Sequence, residues 1–221
     1  MTTRLESQAV VDRLRELGDR DSDCAVFGAK AHRFELNPTL DLSKVEEFET
    51  QYGVGLPADY RLFITEIGNG GAGPYYGLFP FGYHDAMRGL CKWNEDWPLV
   101  GDLSAEFPHD SAWNLPDEFW KQMPDPPLGT PPEVEDKMLE DWNQQLEQRY
   151  WNPEIMKGAI PIAHLGCALR QWLVINGPQS GFVWEDRRAD YGGIFPLQSD
   201  SGQQVSFSDW YLTWLHEAAE S

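Results

Sequence analysis

The chain has few cysteines and no long hydrophobic runs. Only Cys24, Cys91 and Cys167 occur in 221 residues, and their odd number and wide spacing argue against a disulfide framework or a zinc knuckle. Proline, glycine or charged residues interrupt every apolar stretch before the roughly 18 residues that a membrane span needs. Residues 1–14 lack the continuous apolar segment of a secretion signal. These absences predict a soluble protein of the reducing cytoplasm.

Positive charge is also scarce. The chain has 17 Lys and Arg against 36 Asp and Glu, which gives a formal net charge of −19. Such a charge repels phosphate backbones and anionic lipid, so we expect neither nucleic acid nor a membrane as partner. A basic protein is the natural complement. With 41% hydrophobic and 13% aromatic residues, the chain is expected to form a single domain over residues 1–221. The sequence leaves the oligomeric state open.

Common enzyme signatures are missing as well. There is no G-x-G-x-x-G opening a βαβ unit, no P-loop, no G-x-S-x-G and no H-E-x-x-H. Two groupings leave an unrecognised hydrolase as the weaker alternative. His164 and Cys167 could form a thiol pair, and Glu185 and Asp186 could form a carboxylate pair, but both are more typical of structural positions. Mixed charge around the carboxylates indicates a solvated turn, with Arg187, Arg188 and Asp190 following them. We therefore predict no catalytic residue, metal ligand or cofactor.

Helical periodicity marks the first third of the chain. Leu5, Ala9, Leu14 and Leu17 predict a first helix that ends at Gly18. Ser43 and Glu46 have the spacing of a capping box, which predicts a second helix that ends at Tyr52 with Gly53 in a left-handed conformation.

A third helix is predicted to begin at Leu56-Pro57, because proline suits a first helical position. One face of it carries four apolar residues, and Gly68 is the predicted stop. Residues 69–74 predict a tight loop, since glycine tolerates positive φ. The four apolar residues are Tyr60, Phe63, Ile64 and Ile67.

The last third of the chain predicts a sheet and a helix. Short apolar runs at 160–163, 172–175 and 182–184 are separated by turn residues, a pattern typical of an antiparallel meander with Trp184 in the core. Phe207, Tyr211, Trp214, Leu215 and Ala218 recur at helical spacing. The predicted class is α+β, a mostly antiparallel sheet with flanking N- and C-terminal helices and an acidic helical insertion.

That acidic, proline-rich insertion covers residues 94–149. It holds fourteen acidic residues against Lys121, Lys137 and Arg149, or −11 of the total charge. Five prolines in residues 124–132 predict a connector, and a helix with one apolar face follows. A solvated excursion and a binding surface both remain open; the tryptophans of the segment favour binding. The apolar face comprises Met138, Leu139, Trp142 and Leu146, and the tryptophans are Trp97, Trp113, Trp120 and Trp142.

Two blocks of sequence resemble the SUKH superfamily. The first is Leu56-Pro57-Ala58-Asp59-Tyr60-Arg61 leading to Gly68-Asn69-Gly70-Gly71, and the second includes Gln171-Trp172-Leu173-Val174-Ile175, Gly181-Phe182-Val183-Trp184-Glu185-Asp186 and Phe207-Ser208-Asp209-Trp210. The resemblance covers about residues 43–83 and 159–216. Gly166-Cys167-Ala168 stands where the family often has a Gly-Gly-Asp-like turn, so no role is assigned to an acidic residue there.

The resemblance implies an α+β fold that binds and neutralises toxins in bacteria or organises regulators of cell-wall synthesis in fungi, without catalytic residues. We therefore predict a non-catalytic protein-binding module, similar to immunity proteins and directed at a basic, nuclease-like toxin domain; a regulatory scaffold is the alternative. One sheet should join residues 75–82 to 159–186. The predicted partner-binding residues are Asn69, Gly70, Gly71, Tyr75, Tyr76, Trp113, Glu133, Glu135, Asp136, Glu140, Asp141 and Trp142.

Overall fold

The computed structural model describes residues 5–86, 89–93, 95 and 99–220. Within them the chain forms seven α-helices and two antiparallel sheets, so the fold is α+β as predicted. None of the helices in the described residues is both long enough and apolar enough to cross a membrane. Trp97, one of the tryptophans of the acidic segment, lies outside the described residues.

The first three helices are α1 (Ser7–Arg20), α2 (Ala29–His32) and α3 (Leu42–Tyr52). Helix α1 buries Val10, Leu14 and Leu17, whereas Ala9 is exposed. The predicted stop at Gly18 is wrong, because α1 continues to Arg20. A single glycine costs a helix only about 1 kcal/mol relative to alanine, which the buried face of α1 outweighs.

The start of α3 also differs from the prediction. Asp41, and not Ser43, is the N-cap residue, and its carboxylate accepts a hydrogen bond of 2.8 Å from the Ser43 backbone N–H. This bond holds the pKa of the Asp41 carboxyl below its usual value. At the other end Gly53 has φ +66°, which confirms the predicted left-handed cap.

The fourth helix, α4 (Ala58–Leu62), follows Pro57 and continues as a π-helical turn, Phe63–Ile67. Its predicted apolar face is buried. Gly68 ends the helix as predicted, but its φ of −179° is extended and not left-handed. The Gly68 N–H donates to the Phe63 carbonyl, which closes the π-turn.

A four-stranded antiparallel meander forms the main sheet. Its strands are β3 (Ala159–Gly166), β4 (Leu169–Val174), β5 (Val183–Asp186) and β6 (Ile194–Pro196), in that order. The three predicted strands are confirmed. A separate hairpin pairs β1 (Tyr83–Ala86) with β2 (Gly89–Lys92).

Residues 75–82 lie along β3, where the Tyr76 N–H donates to the His164 carbonyl at 3.4 Å. Leu78 forms an isolated bridge to Ala163, and the Phe79 N–H donates to the Ile162 carbonyl at 2.9 Å. Gly71 bridges Leu78 on its other side. The segment predicted to share the sheet therefore contacts β3 through an isolated bridge and two backbone hydrogen bonds, without forming a strand of that sheet.

The main core lies between the sheet and its helices. Helix α7 (Phe207–Glu220) covers one sheet face, and the rings of Phe207 and Tyr211 contact that of Phe63 with centroids 5.3 and 4.7 Å apart. On the other face Trp184 is fully buried against Phe107, as its predicted core position requires.

The remaining helices pack in a smaller hydrophobic cluster, here called the α6 cluster. These are α5 (Asp117–Trp120) and α6 (Pro132–Arg149). Short 3₁₀ turns lie at Pro153–Met156 and Arg188–Asp190. The buried members of the α6 cluster are Leu115, Phe119, Trp142, Leu146 and Tyr150.

The acidic segment is thus divided between the two cores. Val100, Leu103 and Phe107 belong to the main core, whereas residues from 115 onward form the α6 cluster. The first part of the predicted insertion is therefore integral to the packing around the sheet. Only the second part departs from it.

Candidate functional site

A cleft of about 1180 Å³ lies between α7, the chain after α1 and one face of the main sheet. Its floor includes Gln171 of β4. Residues that pair directly across antiparallel strands share one sheet face, and Gln171 pairs with Glu185. That face therefore carries an amide and a carboxylate among apolar neighbours.

Gln171 is an unusual buried group. The residue is 1% exposed, and no hydrogen-bond donor of the described residues reaches its side-chain oxygen. Buried polar atoms nearly always have a partner, since an unpaired one costs about 1–3 kcal/mol. Sequence reasoning assigned Gln171 only to a strand. A signal was present in the sequence, because Gln171 is polar but shares its strand face with Leu173, a core residue.

Aromatic rings form much of the wall of the cleft. They belong to Phe27, Tyr75, Trp210 and Trp214. Phe27 is 64% exposed and lies edge-on to Tyr75, with ring centroids 6.3 Å apart. Burial, and then the nearby Glu185 carboxylate, raise the pKa of the Tyr75 hydroxyl, so this group remains protonated at neutral pH.

Tyr75 is held in a strained backbone conformation at the edge of the cleft. Its φ is +55°, which non-glycine residues seldom adopt. The backbone of Gly28 packs directly against it: a Cβ on Gly28 would lie 1.7 Å from the Tyr75 carbonyl oxygen. This close approach requires glycine at position 28, and it fixes the ring of Tyr75 at the cleft.

Carboxylates surround the aromatic wall. Among the described lining residues the single basic one, Arg20, already donates to the carbonyls of Ala219 and Ala218 at 2.6 and 3.0 Å. Backbone N–H groups donate to Asp21 and hold the pKa of its carboxyl below the usual value, so it stays ionised. The acidic lining residues are Asp21, Asp200, Asp209, Glu217 and Glu220.

The second candidate surface is the acidic half of α6, residues 132–141. Glu133, Asp136, Glu140 and Asp141 are exposed and Glu135 is half-buried. Lys137 is the one basic residue of this half and lies 3.6 Å from Asp141. The structure therefore presents the predicted carboxylates to solvent as one acidic surface.

The tryptophans predicted as anchors lie elsewhere. Trp142 is 5% exposed and stacks on Phe119 at 4.6 Å, so its ring is inside the α6 cluster and cannot meet a partner directly. Trp113 is half-buried: its backbone forms an antiparallel bridge with Ile194, and its ring stacks on Tyr150. Trp142 packs within the α6 cluster, and Trp113 joins that cluster to the sheet, so both rings have structural roles.

The glycine loop at residues 69–74 is also structural. The N–H of Gly71 donates to Leu78 and that of Gly70 to Gly68, both at 3.0 Å. The Asn69 side chain accepts from the Phe81 N–H at 2.8 Å. The backbone donors of Gly70 and Gly71, two of the predicted partner-binding residues, are therefore used within the protein. Tyr76, by contrast, is exposed and contacts the ring of Phe27.

The first of the two groupings of titratable residues is the carboxylate pair of β5. Glu185 and Asp186 are consecutive in β5, so their side chains point to opposite sheet faces. Each is buried and paired with an arginine, Glu185 with Arg187 and Asp186 with Arg188. The predicted solvated turn is therefore wrong for these carboxylates.

His164 and Cys167, the second grouping, have separate surroundings. His164 lies 3.9 Å from Asp85, and its ring lies against Tyr76. Cys167 is exposed in the turn between β3 and β4.

Sequence reasoning missed a different thiol contact in the β1–β2 hairpin. Cys91 Sγ lies 3.2 Å from His84 Nε2, and His84 Nδ1 lies 2.6 Å from the Asp85 carbonyl. Antiparallel pairing of His84 with Cys91 creates this contact, which their separation in sequence does not suggest. Both residues are buried and neither lines the cleft, so the contact supports packing of the hairpin.

No metal centre is formed within the described residues, where no three His, Cys, Asp or Glu side chains are grouped to hold an ion. Searches of family models, curated proteins and solved structures find no match to this chain.

Proposed function

We propose that the chain is a non-catalytic protein-binding module that binds a basic partner through the acidic half of α6. One observation carries the proposal: the apolar stripe of α6 extends beyond the cluster that covers it. Val134, Met138, Trp142 and Leu146 recur every four residues and so share one helix face. Trp142 and Leu146 are buried, but Val134 and Met138 are 48% and 37% exposed.

The chemistry of this half helix suits a basic protein. Carboxylates flank the uncovered part of the stripe, so approach of a cationic surface is favoured over a long range and weakened by salt. Exposed Val134, Met138 and Leu139 supply apolar contacts that salt hardly affects. Association rate should therefore depend on the carboxylates and complex lifetime on the apolar side chains.

The SUKH resemblance supports a narrower role, that of a cytoplasmic immunity protein that neutralises a toxin. A nuclease-like toxin fits the charge, because a protein that grips phosphate needs a cationic cleft that an acidic inhibitor can occupy. A regulatory scaffold is the alternative. A hydrolase is less well supported, because the carboxylates of β5 are buried in arginine pairs on opposite sheet faces.

The test uses the full chain as bait against basic candidate proteins encoded beside it. The charge variant carries Glu133→Gln, Glu135→Gln, Asp136→Asn, Glu140→Gln and Asp141→Asn. In low salt it should associate with the captured partner at least about tenfold more slowly, because steering accounts for a large share of fast association. The apolar variant Val134→Ser/Met138→Ser should instead dissociate faster.

A matched control changes the same net charge elsewhere. It carries Asp12→Asn, Glu16→Gln, Asp19→Asn, Glu46→Gln and Glu47→Gln, all exposed residues of α1 and α3. If this control slows association as much as the α6 charge variant does, net charge and not α6 is responsible, and the proposed surface is wrong. An association rate that neither variant changes contradicts the electrostatic argument itself.

Co-expression separates the immunity role from the scaffold role. An immunity protein should restore the growth of cells that produce the candidate toxin, and the α6 variants should restore it less well at equal expression. Binding without any rescue of growth would favour the regulatory scaffold.

A further inference from the structure

The cleft beside α7 contains a buried acceptor that lacks a donor. Gln171 lines the cleft, and its buried side-chain oxygen has no hydrogen-bond partner among the described residues. Burial of such an oxygen is unfavourable unless a donor is supplied. A ligand that enters the cleft with an N–H group would supply it.

The charge of the cleft indicates that this donor is cationic. Among the described lining residues, five carboxylates stand against one arginine that caps the end of α7 with its own hydrogen bonds. Glu217 is exposed on α7, and Gln171 is buried in β4. An N–H donor that also carries positive charge would satisfy both the amide oxygen and the acidic surroundings.

The aromatic wall favours a flat cation over a compact one. Phe27 is exposed and Tyr75 is half-buried where they line the cleft. Trp210 and Trp214 complete the wall. A guanidinium group is planar, weakly hydrated and able to lie on an aromatic face while its edge donates hydrogen bonds. An ammonium group is more strongly hydrated and lacks this geometry.

We propose that this cleft binds a guanidinium group, which donates an N–H to the Gln171 oxygen and lies against the aromatic wall. The group could belong to a free small molecule or to an arginine side chain in a peptide. None of the cleft residues lies on α6, so the site is independent of the surface proposed above for a basic partner.

Calorimetric titration of the full chain tests the chemistry. The probes are methylguanidinium, methylammonium, free arginine and the amides of N-acetyl-arginine and N-acetyl-citrulline. The citrulline derivative is a neutral analogue of nearly the same shape as the arginine derivative. Methylguanidinium and the arginine derivative should bind, and the citrulline derivative should bind at least about tenfold more weakly, as expected for loss of a charged hydrogen bond. Tighter binding of the arginine amide than of free arginine identifies a peptide source, and the reverse identifies a small molecule.

A Gln171→Leu variant tests the position. Leucine removes the unpaired oxygen at similar volume, so the thermal midpoint should be unchanged or higher, whereas guanidinium affinity should fall at least about tenfold. Gln51→Leu, at an exposed position of α3, is the matched control and should bind as the wild type does. Glu217→Gln should weaken binding less, because the residue is exposed.

Three results would overturn the proposal. The first is no binding of any guanidinium probe at tens of millimolar, and the second is equal binding of methylammonium. The third is unchanged affinity in the Gln171→Leu variant. Guanidinium binding should persist in the α6 charge variant, so that failure here and failure of the proposed partner surface are distinguishable.

Discussion

The main core and the α6 cluster are both built from aromatic side chains, yet they differ in how completely they are covered. In the main core, helices and the segment around Phe107 cover both faces of the sheet, and Trp172 and Trp184 are fully buried. The α6 cluster has five buried residues, two of which belong to α6 itself, a helix of eighteen residues. The apolar stripe of α6 therefore continues into solvent at Val134 and Met138, whereas Trp184 in the main core is fully buried.

The connection between the two regions explains how a small cluster holds a long helix. Arg188 forms a bidentate pair with Asp186 at 2.9 and 2.7 Å and donates to the Tyr150 carbonyl at 2.9 Å, just beyond the end of α6. The Tyr150 hydroxyl accepts from the Gly193 N–H. Buried hydrogen bonds thus fix the C-terminal end of α6 to the sheet, and the acidic end projects from this base.

Replacement of Trp184 should have the largest effect, because it breaks the main core. Trp184→Ala is expected to lower the free energy of unfolding by about 3–5 kcal/mol through lost burial and a residual cavity. The measurement is chemical denaturation. Trp184→Phe, which keeps a ring and removes an indole N–H without a hydrogen-bond partner among the described residues, should cost much less. Equal losses for the two variants would show that ring volume is not what matters at this position.

Replacement of Trp142 should be less costly and more local. Trp142→Ala removes the ring stacked on Phe119, and we expect a loss of about 2–3 kcal/mol because a small cluster can partly collapse. Hydrogen exchange should accelerate at the amides of α5 and α6 while those of β3 to β5 stay protected. Loss of protection in the sheet to the same degree would show that the two regions unfold together.

Acid should weaken the main core before it affects the α6 cluster. Burial lowers the pKa of His32 to about 4, and the ring nitrogen Nδ1 accepts the Phe34 N–H at 3.0 Å, which requires that nitrogen to be unprotonated. Burial also lowers the pKa of His109. In the unfolded chain His32 takes up a proton as the pH falls below about 6.5, whereas in the folded chain it does so only near pH 4. The stability from this group is therefore complete above that range and declines as the pH falls through it.

From pH 7 to pH 5 the His32 contribution should amount to about 1–2 kcal/mol. Denaturation curves across this range should show a shallower pH dependence in His32→Phe than in wild type. His216→Gln, at an exposed position of α7, is the control and should keep the wild-type slope. An unchanged slope in His32→Phe would mean that the pKa of the imidazole is the same in the folded and the unfolded chain.

Neutralising the acidic half of α6 should have the smallest effect on folding. The five-residue charge variant is expected to change the free energy of unfolding by less than about 0.5 kcal/mol, because these side chains are exposed or half-buried. Thermal and chemical denaturation at two salt concentrations measure this. A larger loss of unfolding free energy would show that the carboxylates stabilise the helix itself.

Local patterns in the sequence determined most of the secondary structure. Periodicity predicted α1, α4, α7 and three strands of the meander. The glycine at position 53 predicted the left-handed cap that ends α3. Such features depend on neighbours a few residues apart, whose side chains must share a face or reach a backbone group. The errors at Gly18 and Ser43 concern helix ends, where packing or a competing cap at Asp41 decides the boundary.

The candidate sites depended on contacts between distant segments. The run of acidic residues placed the acidic surface correctly, because carboxylates with few cations near them in sequence are almost never fully buried. The carboxylates of β5, which have arginines beside them, are buried as ion pairs. Whether Trp142 faced outward, and whether Gln171 found a hydrogen-bond donor, depended on packing between elements far apart in the chain. Sequence by itself therefore determined the fold class and the sign of the surface charge, through local periodicity and composition. Tertiary structure alone decided which aromatic and polar groups were buried, because burial is a property of the partners that the fold brings together.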